Sequence, residues 1–529
     1  MAYGGNKAKI LFGEFGLLTD IAPDKAPPGS LTGANNVCFF NGSIQKAPGS
    51  LKWNETALSA GIIATHHWMP DLNTERFMAV TSVGDIYKGR DRQFGTAINS
   101  TISSTLTPNC IFCEGGAETA GREKKLFLFT GGATNPYVLS GDGTAFTSIA
   151  SPNTDWVVGS YPKCGVVHGN SLWAFAGQIS YASSTGNHED FTNASAVAVE
   201  PVYPGEGGEV RGAFVFKSKL FCFKDGGFVY ALDEAYESDG TVLRKWTKAG
   251  SNFGLAAPNA IAEVLNDMYA GNTSGTINSY AATEKLGSVE AGDIIQELQF
   301  ESFLRGNASK VGVTEQHLFY YAEKKTLFAT YRSCYKTTND MLLMFDFGRP
   351  NNIRPAFWIK GTPQCLAGYR DVNQIMRPMY GDASGYLMLM DREDRLEGGA
   401  AFTGEFQTQH FDFSWLGENM STTEKHFDFL AVHYIPEGAG DLSCDYFVDG
   451  RFYETLTFPM VQYQRPQLGT LLLGTDRLKQ PNTETGVRQL SGTGRTISFR
   501  FYNSGSNQSF QVPAITVLFR AGGDKAQQV

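Results

Sequence analysis

The side chains best suited to chemistry in this 529-residue chain fall into a few small groups. Cys110-Ile111-Phe112-Cys113 is a CxxC, and a redox or zinc site would need both sulfurs to converge on one point. The run around them reads as a strand, where positions i and i+3 face opposite sides. No second CxxC completes a ligand set, so both cysteines read as structural. His66 and His67 are adjacent, and on a strand they too point apart. His410, His426 and His433 fall in separate strand-like runs without an HExxH frame. Glu189/Asp190 and Glu393/Asp394 could be imagined as a glycosidase couple, but that reaction needs a set separation between carboxyl groups. Neighbouring carboxylates in polar loops read as solvated. The sequence has no Walker A loop, GxSxG elbow or calcium loop. It therefore assigns no catalytic, cofactor-binding or metal-binding residue, and the expectation is a protein that is not an enzyme.

The elements that would have to carry such groups are short strands. Lys163 to Phe191 shows the plan. Val166 and Val167 open a strand, His168-Gly169-Asn170-Ser171 is a turn, and Leu172 to Phe175 form a second strand. Gly177 breaks it, Ile179 and Tyr181 resume the alternation, and Ser183 to Asp190 is a loop. Gly and Asn tolerate the positive φ of tight hairpins, and aromatic and β-branched residues favour half-buried strands. The plan recurs from about 62 to 391, anchored at Phe77, Phe127, Trp173, Phe221, Tyr269, Phe319 and Tyr380, at intervals of about 50, 46, 48, 48, 50 and 61. A period of 40–50 residues with four strands per unit marks β-propeller blades, each with a face that only ring closure buries. The long last interval leaves room for an extra hairpin at 341–347, followed by Trp358, so the count is six or seven blades. Ser140-Gly141-Asp142-Gly143-Thr144 resembles the Asp-box of sialidase-type propellers. It departs from Ser-x-Asp-x-Gly-x-Thr-Trp at Thr144 and Thr147 and is not repeated, so it reads as a turn.

Composition agrees with a mainly β chain. Aromatics are 13% and charged residues only 18%, with 59 glycines, which suits many strands joined by tight turns. The net charge of −9 argues against a basic face that grips DNA or an anionic membrane. No run of 18 apolar residues is present, and no basic segment precedes an apolar core at the N-terminus. The expectation is a protein made in the cytoplasm without a membrane-spanning segment. Its eight cysteines are expected to be reduced and buried, and Asn54-Glu55-Thr56 to carry no glycan.

Three regions are expected. Residues 1–61 form an N-terminal extended arm and hairpin, with 1–9 flexible and Asn41-Gly42 as a hairpin turn. Residues 62–391 form the propeller. Residues 392–529 form a C-terminal β-sandwich-like platform domain, reached through a charged, Gly-ended linker at 390–400 and ending in a disordered tail.

Three segments together resemble the tail nozzle protein (tail tubular B, or hub) of short-tailed bacteriophages. They are FGLLTDIAPDKAPPGSLTGANNVCFFNGSIQKAPGSLKW, then HGNSLWAFAGQISYASSTGNHEDF with KSKLFCFKDGGFVYAL, then VDGRFYETLTF with ISFRFYNSGSNQSFQVPAITVLF. Each motif is weak alone, and their order carries the likeness over most of the chain. The resemblance implies a structural virion protein with a propeller core and an added β platform. It would assemble as a ring homo-oligomer, expected to be a hexamer, below the portal–adaptor ring proteins, and would meet tail fibre or spike and tail-tip proteins. It would conduct, and could gate, double-stranded DNA without sequence-specific binding, and the family brings no catalytic residues. A net-negative conduit fits, because phosphate contacts would make transit sticky. On this reading the C-terminal domain and segment 10–53 make most contacts between subunits or with the adaptor, and deleting 401–529 should leave a folded monomer. Other readings are a different phage neck or minor tail protein, a propeller glycosidase or lyase acting on host polysaccharide, and a propeller adhesin.

Overall fold

A computed structural model describes residues 5–522, less several short internal stretches and two longer ones at 282–303 and 461–482. Six sheets are blades of a β-propeller. Four are four-stranded antiparallel meanders within 62–94, 111–148, 164–201 and 210–251, and a fifth has three described strands within 261–279. The closing blade takes its inner three strands from 363–392 and its fourth, Gly49–Lys52, from the N-terminal side of the ring. Between the fifth and closing blades sits a further four-stranded meander, Leu318 to Trp358. It packs against both of them and runs on into a nine-stranded sheet.

Each blade buries apolar side chains on both faces, so the buried clusters lie in the seams between blades. Trp68, Met78 and Leu126 fill the first seam, Phe127, Trp156 and Phe191 the second, and Trp173 and Trp246 the third, with ring centroids 6.1 Å apart. Phe221, Ile261 and Met268 fill the fourth, and Trp53, Phe77 and Tyr369 fill the seam where the closing blade meets the first. Trp53 N–H donates to Leu387 O (2.7 Å) and the buried Asn54 amide donates to Gly385 O (3.0 Å). The N-terminal segment thereby latches the last blade.

The third blade follows its sequence closely. Strands Cys164–His168 and Ser171–Ala176 pair through a two-residue turn with Gly169 at φ 57° and Asn170 at φ 58°. One anchor differs. Phe319 lies on the innermost strand, Leu318–Tyr321, and the second strand of that meander is Thr326–Tyr331, so Phe328 holds the anchor position. The long interval thus precedes this meander, on the side of 282–303. Met341–Asp346 and Arg354–Trp358 are its third and fourth strands, so they form no extra hairpin.

The chain ends build two larger sheets. The seven-stranded sheet pairs Asn6–Leu11 with Gln511–Ala521 over Asn6↔Phe519 to Leu11↔Ala514. Residues 6–9 are therefore strand and not a loose arm, because Ala8 and Ile10, each 1% exposed, alternate with Lys7 and Lys9. The Val37–Phe40/Ser43–Lys46 hairpin joins the same sheet. In the nine-stranded sheet Leu31–Asn35 bridges Arg354–Trp358 to Gly404–Thr408. Phe406 stacks on Phe501 (4.9 Å) and meets Phe12 edge-on (5.4 Å), so N- and C-terminal strands share one core with the bridging meander. The expected linker at 390–400 is ordered: Leu396–Glu397 and Ala400–Ala401 form a small hairpin beside Gly49–Lys52. The expected tail begins at Gly522, whose N–H donates to Glu424 O (2.7 Å), and the rest of it, 523–529, lies outside the described residues.

Candidate functional site

The groups singled out in the sequence do not converge. Cys110 packs in the first seam and Cys113 against the second, so their sulfurs sit in separate cores, and burial pushes each thiol up to about 12. Cys334 departs from the expectation of buried cysteines by being exposed. His66 and His67 point apart on Ile62–Asp71, each toward a neighbouring blade. His66 Nε2 meets Glu114 of the second blade (2.9 Å), and His67 Nδ1 accepts the Arg370 N–H of the closing blade (3.1 Å). His426 and His433 bond separate threonines, Thr493 and Thr485/Thr516, while the His410 backbone N–H donates to Pro23 O. Among the described residues, no three His, Cys, Asp or Glu side chains gather as a metal site.

Two of the acidic groups tie seams, and others act within their own loops. Asp142, in the Ser140–Thr144 turn, receives Arg76 (2.6 Å) and Lys88 (3.1 Å) from the first blade. Against the upward pull of burial, these bonds hold its carboxyl below the usual range. Glu189 pairs with Lys125 across the second seam, and Asp190 caps Thr192 in its own loop. Asp394 accepts the Leu396 N–H (3.3 Å).

Two arrangements went unread in the sequence. One is the centre of the ring. Asn259, just before the fifth blade, donates to Pro108 O (3.0 Å) and Cys110 O (3.1 Å), just before the second. His317, at the head of the bridging meander, also reaches Pro108 O from Nε2 (2.6 Å), and its Nδ1 accepts the Leu366 N–H of the closing blade (3.3 Å). The second and fifth blades are not neighbours in the ring, so these bonds run across its axis at this end. The two partners require the Nε2–H tautomer. Burial drives the His317 imidazole down from 6.5 to about 4, so the ring is neutral at physiological pH. A lone His-Leu pair carries no signal for such a role, since nothing local says that position 317 meets position 108.

The second is a cleft of about 700 Å³ between the Val37–Phe40 hairpin, the bridging meander and the closing blade. At its centre the Asp391 carboxylate accepts from Tyr321 Oη (2.9 Å), Arg377 Nη1 (3.3 Å) and Lys324. Glu393 also lines it.

No protein-family profile matches the sequence, and no curated protein matches it. Among solved structures, the BBS1N chain from a complex with ARL6DN aligns with 64% of this chain and 94% of its own, at 9% identity and a TM-score of 0.40. YCF48 from Cyanidioschyzon merolae aligns over 65% and 98%, at 10% identity and a TM-score of 0.39. BamB from Moraxella catarrhalis aligns over 63% and 96%, at 10% identity and a TM-score of 0.32. Likenesses this distant carry nothing about activity or partners. The protein is a mainly β chain with a β-propeller, as its own sheets and seams show.

Proposed function

We propose that this chain is a structural virion protein, a ring-forming tail nozzle of a short-tailed phage that conducts the genome below the portal–adaptor channel. The observation that carries the reading is the order of the three motif segments along the sequence. The net charge of −9 supports it, since an acidic surface lets DNA slide where a basic one would hold it. The axial bonds sharpen it. Asn259 and His317 make bonds across the centre of the ring, which supports a lumen enclosed by several copies over one along the axis of a single propeller. The carboxylates weighed as a glycosidase couple favour a structural role, because Glu189 is spent on a seam and Asp190 on its own loop.

Electron microscopy of the purified full-length protein, alone and with a portal–adaptor complex, tests the proposal. Rings with a central hole, or density on the distal end of the adaptor, are the expected result. A stable monomer that ignores the adaptor would overturn it.

A further inference from the structure

The cleft beside Asp391 has the opposite charge character to the rest of the chain. Seven cationic and four acidic side chains line it, within a protein whose net charge is −9. The acids are largely engaged from within. Asp346 pairs with the buried Arg354 (2.9 Å), Asp391 holds Tyr321, Lys324 and Arg377, and Glu323 accepts from Tyr321 Oη (2.7 Å). Of the remaining cations, Arg395 donates to Lys46 O (2.7 Å). Lys325 and Arg392 are exposed at the rim with no side-chain bond among the described residues, and Arg349 reaches Glu14 only at 3.9 Å. The surplus is therefore cationic and faces open space.

Arg354 supplies a second, independent observation. Its side chain is only 4% exposed and lines the cleft. Its terminal nitrogens bond Asp346 and Gly13 O, but its Nε has no partner among the described residues. A buried guanidinium N–H left without an acceptor is destabilising, and an anion entering beside it would supply one. The backbone is also held in a sparsely populated region here. Lys325, Asp391 and Arg395 have φ of 50°, 62° and 53°, a conformation that is unfavourable for such side chains and clusters at ligand sites. Phe40, half-exposed on the hairpin, gives one wall an apolar face.

We propose that this cleft binds a multivalent phosphate anion, an oligophosphate or the phosphate end of a nucleotide. Lys325, Arg349 and Arg392 receive the charge, and the buried Arg354 lines the site with them. Guanidinium forks match phosphate oxygens in geometry, and charge-assisted bonds of this kind are about twice as strong as neutral ones. This site is independent of the nozzle reading, and either can fail alone.

Calorimetric titration of the full-length protein with inorganic triphosphate tests it, at about 0.15 M salt, where the Debye length is about 8 Å and diffuse attraction is screened. One saturable site is expected, weakened by about tenfold or more, ~1.4 kcal/mol, in the double variant Lys325→Ala/Arg392→Ala. Both side chains are exposed, so the melting temperature should stay put, and a Lys217→Ala control should bind as the parent does. Adenosine triphosphate in a parallel titration separates the two sources. Tighter binding than triphosphate assigns a nucleotide with its base on the Phe40 wall, and equal binding assigns the phosphate chain alone. No saturable binding, or equal binding by the double variant, overturns the site. Binding of a short glutamate peptide but not of triphosphate overturns the phosphate class.

Discussion

The third blade and the seven-stranded sheet are both antiparallel β structure, yet they are assembled on different scales of sequence. Every strand of the blade lies within 164–201, and each pairs with the next in order. The seven-stranded sheet instead sets Asn6–Leu11 against Gln511–Ala521, and Gly404–Thr408 of the neighbouring sheet pairs with Leu31–Asn35. A blade can form from local contacts, whereas the terminal sheets must close loops that span most of the chain before they gain anything. Local blades give a repeat with a readable period, and the terminal sheets give strands whose partners no local pattern names.

The strongest way to sharpen this contrast is to delete 401–529. That removes the partner of Asn6–Leu11 and one of the two partners of Leu31–Asn35, and opens the core around Phe12, Leu31 and Phe39. Residues 6–11 are expected to lose their hydrogen-exchange protection entirely, while Gly49–Lys52, which pairs within the closing blade, and 62–251 keep theirs. The truncation is then a poor test of ring formation, contrary to the expectation of a clean monomer, because it strips a shared core along with any contact surface. Full protection of residues 6–11 in the truncated chain would break the comparison.

Phe406→Ala makes the same point with one side chain. Phe406 is fully buried among Phe12, Phe501 and Phe510, and such a truncation costs about 3–5 kcal/mol. The loss should appear in denaturant unfolding, with exchange rising at both chain ends together. A loss confined to 404–503 would mean that the N-terminal strands hold without this core.

Acid probes the contacts that link local blades across the ring. His317 sits near 4 in the folded chain against 6.5 when free, so between those values the unfolded chain binds the extra proton. Its contribution is thus complete above about pH 6.5 and drains away as pH falls toward 4, up to on the order of 3 kcal/mol. Protonated Nδ1 can no longer accept the Leu366 N–H. Facing charges do not offset this: among the described residues, the hydrogen-bond partners of the ring are Pro108, Leu366 and Asn259, none of them charged. His317→Gln keeps a donor toward Pro108 O without titrating, and should flatten the slope of stability against pH in that window. An unchanged slope would assign the acid sensitivity elsewhere, with His67 next in line, since burial lowers it as well.

Asp142→Asn tests one seam tie at smaller scale. It weakens the bonds from Arg76 and Lys88 across the first seam. The site is partly exposed, so screening limits the loss to about 1 kcal/mol, read as a small fall in the urea midpoint with an unchanged m-value.

What could be read from the sequence follows the same division. The turns and aromatic strands of the blades were legible because partners lie within a few tens of residues: His168 faces Ser171, and Phe175 faces Ser180. Adjacent His66 and His67 were legible as pointing apart, because strand geometry alone decides it. That each stitches to a different blade was not. Gly49–Lys52 gave no sign that it completes a blade whose other strands begin at Pro363. The basic cleft was hidden for the same reason. Lys325, Arg349 and Arg392 are spread over some seventy residues and are interleaved with acids that the fold pairs off internally.

The smallest expected effect asks whether the repeat extends to backbone conformation. Gly169-Asn170, Lys217-Ser218 and Leu265-Asn266 occupy equivalent turns 48 residues apart, and all six residues have positive φ. Glycine and asparagine take that conformation readily, but a leucine in the left-handed region costs roughly 1–2 kcal/mol. Leu265 holds φ 49° with a side chain 54% exposed, so it returns little by burial. Leu265→Asn should therefore stabilise the protein by about 0.5–1 kcal/mol, seen as a higher melting temperature with unchanged cooperativity. If the variant is instead less stable, the leucine holds its place through a contact outside the isolated chain, and the turn is part of an interface.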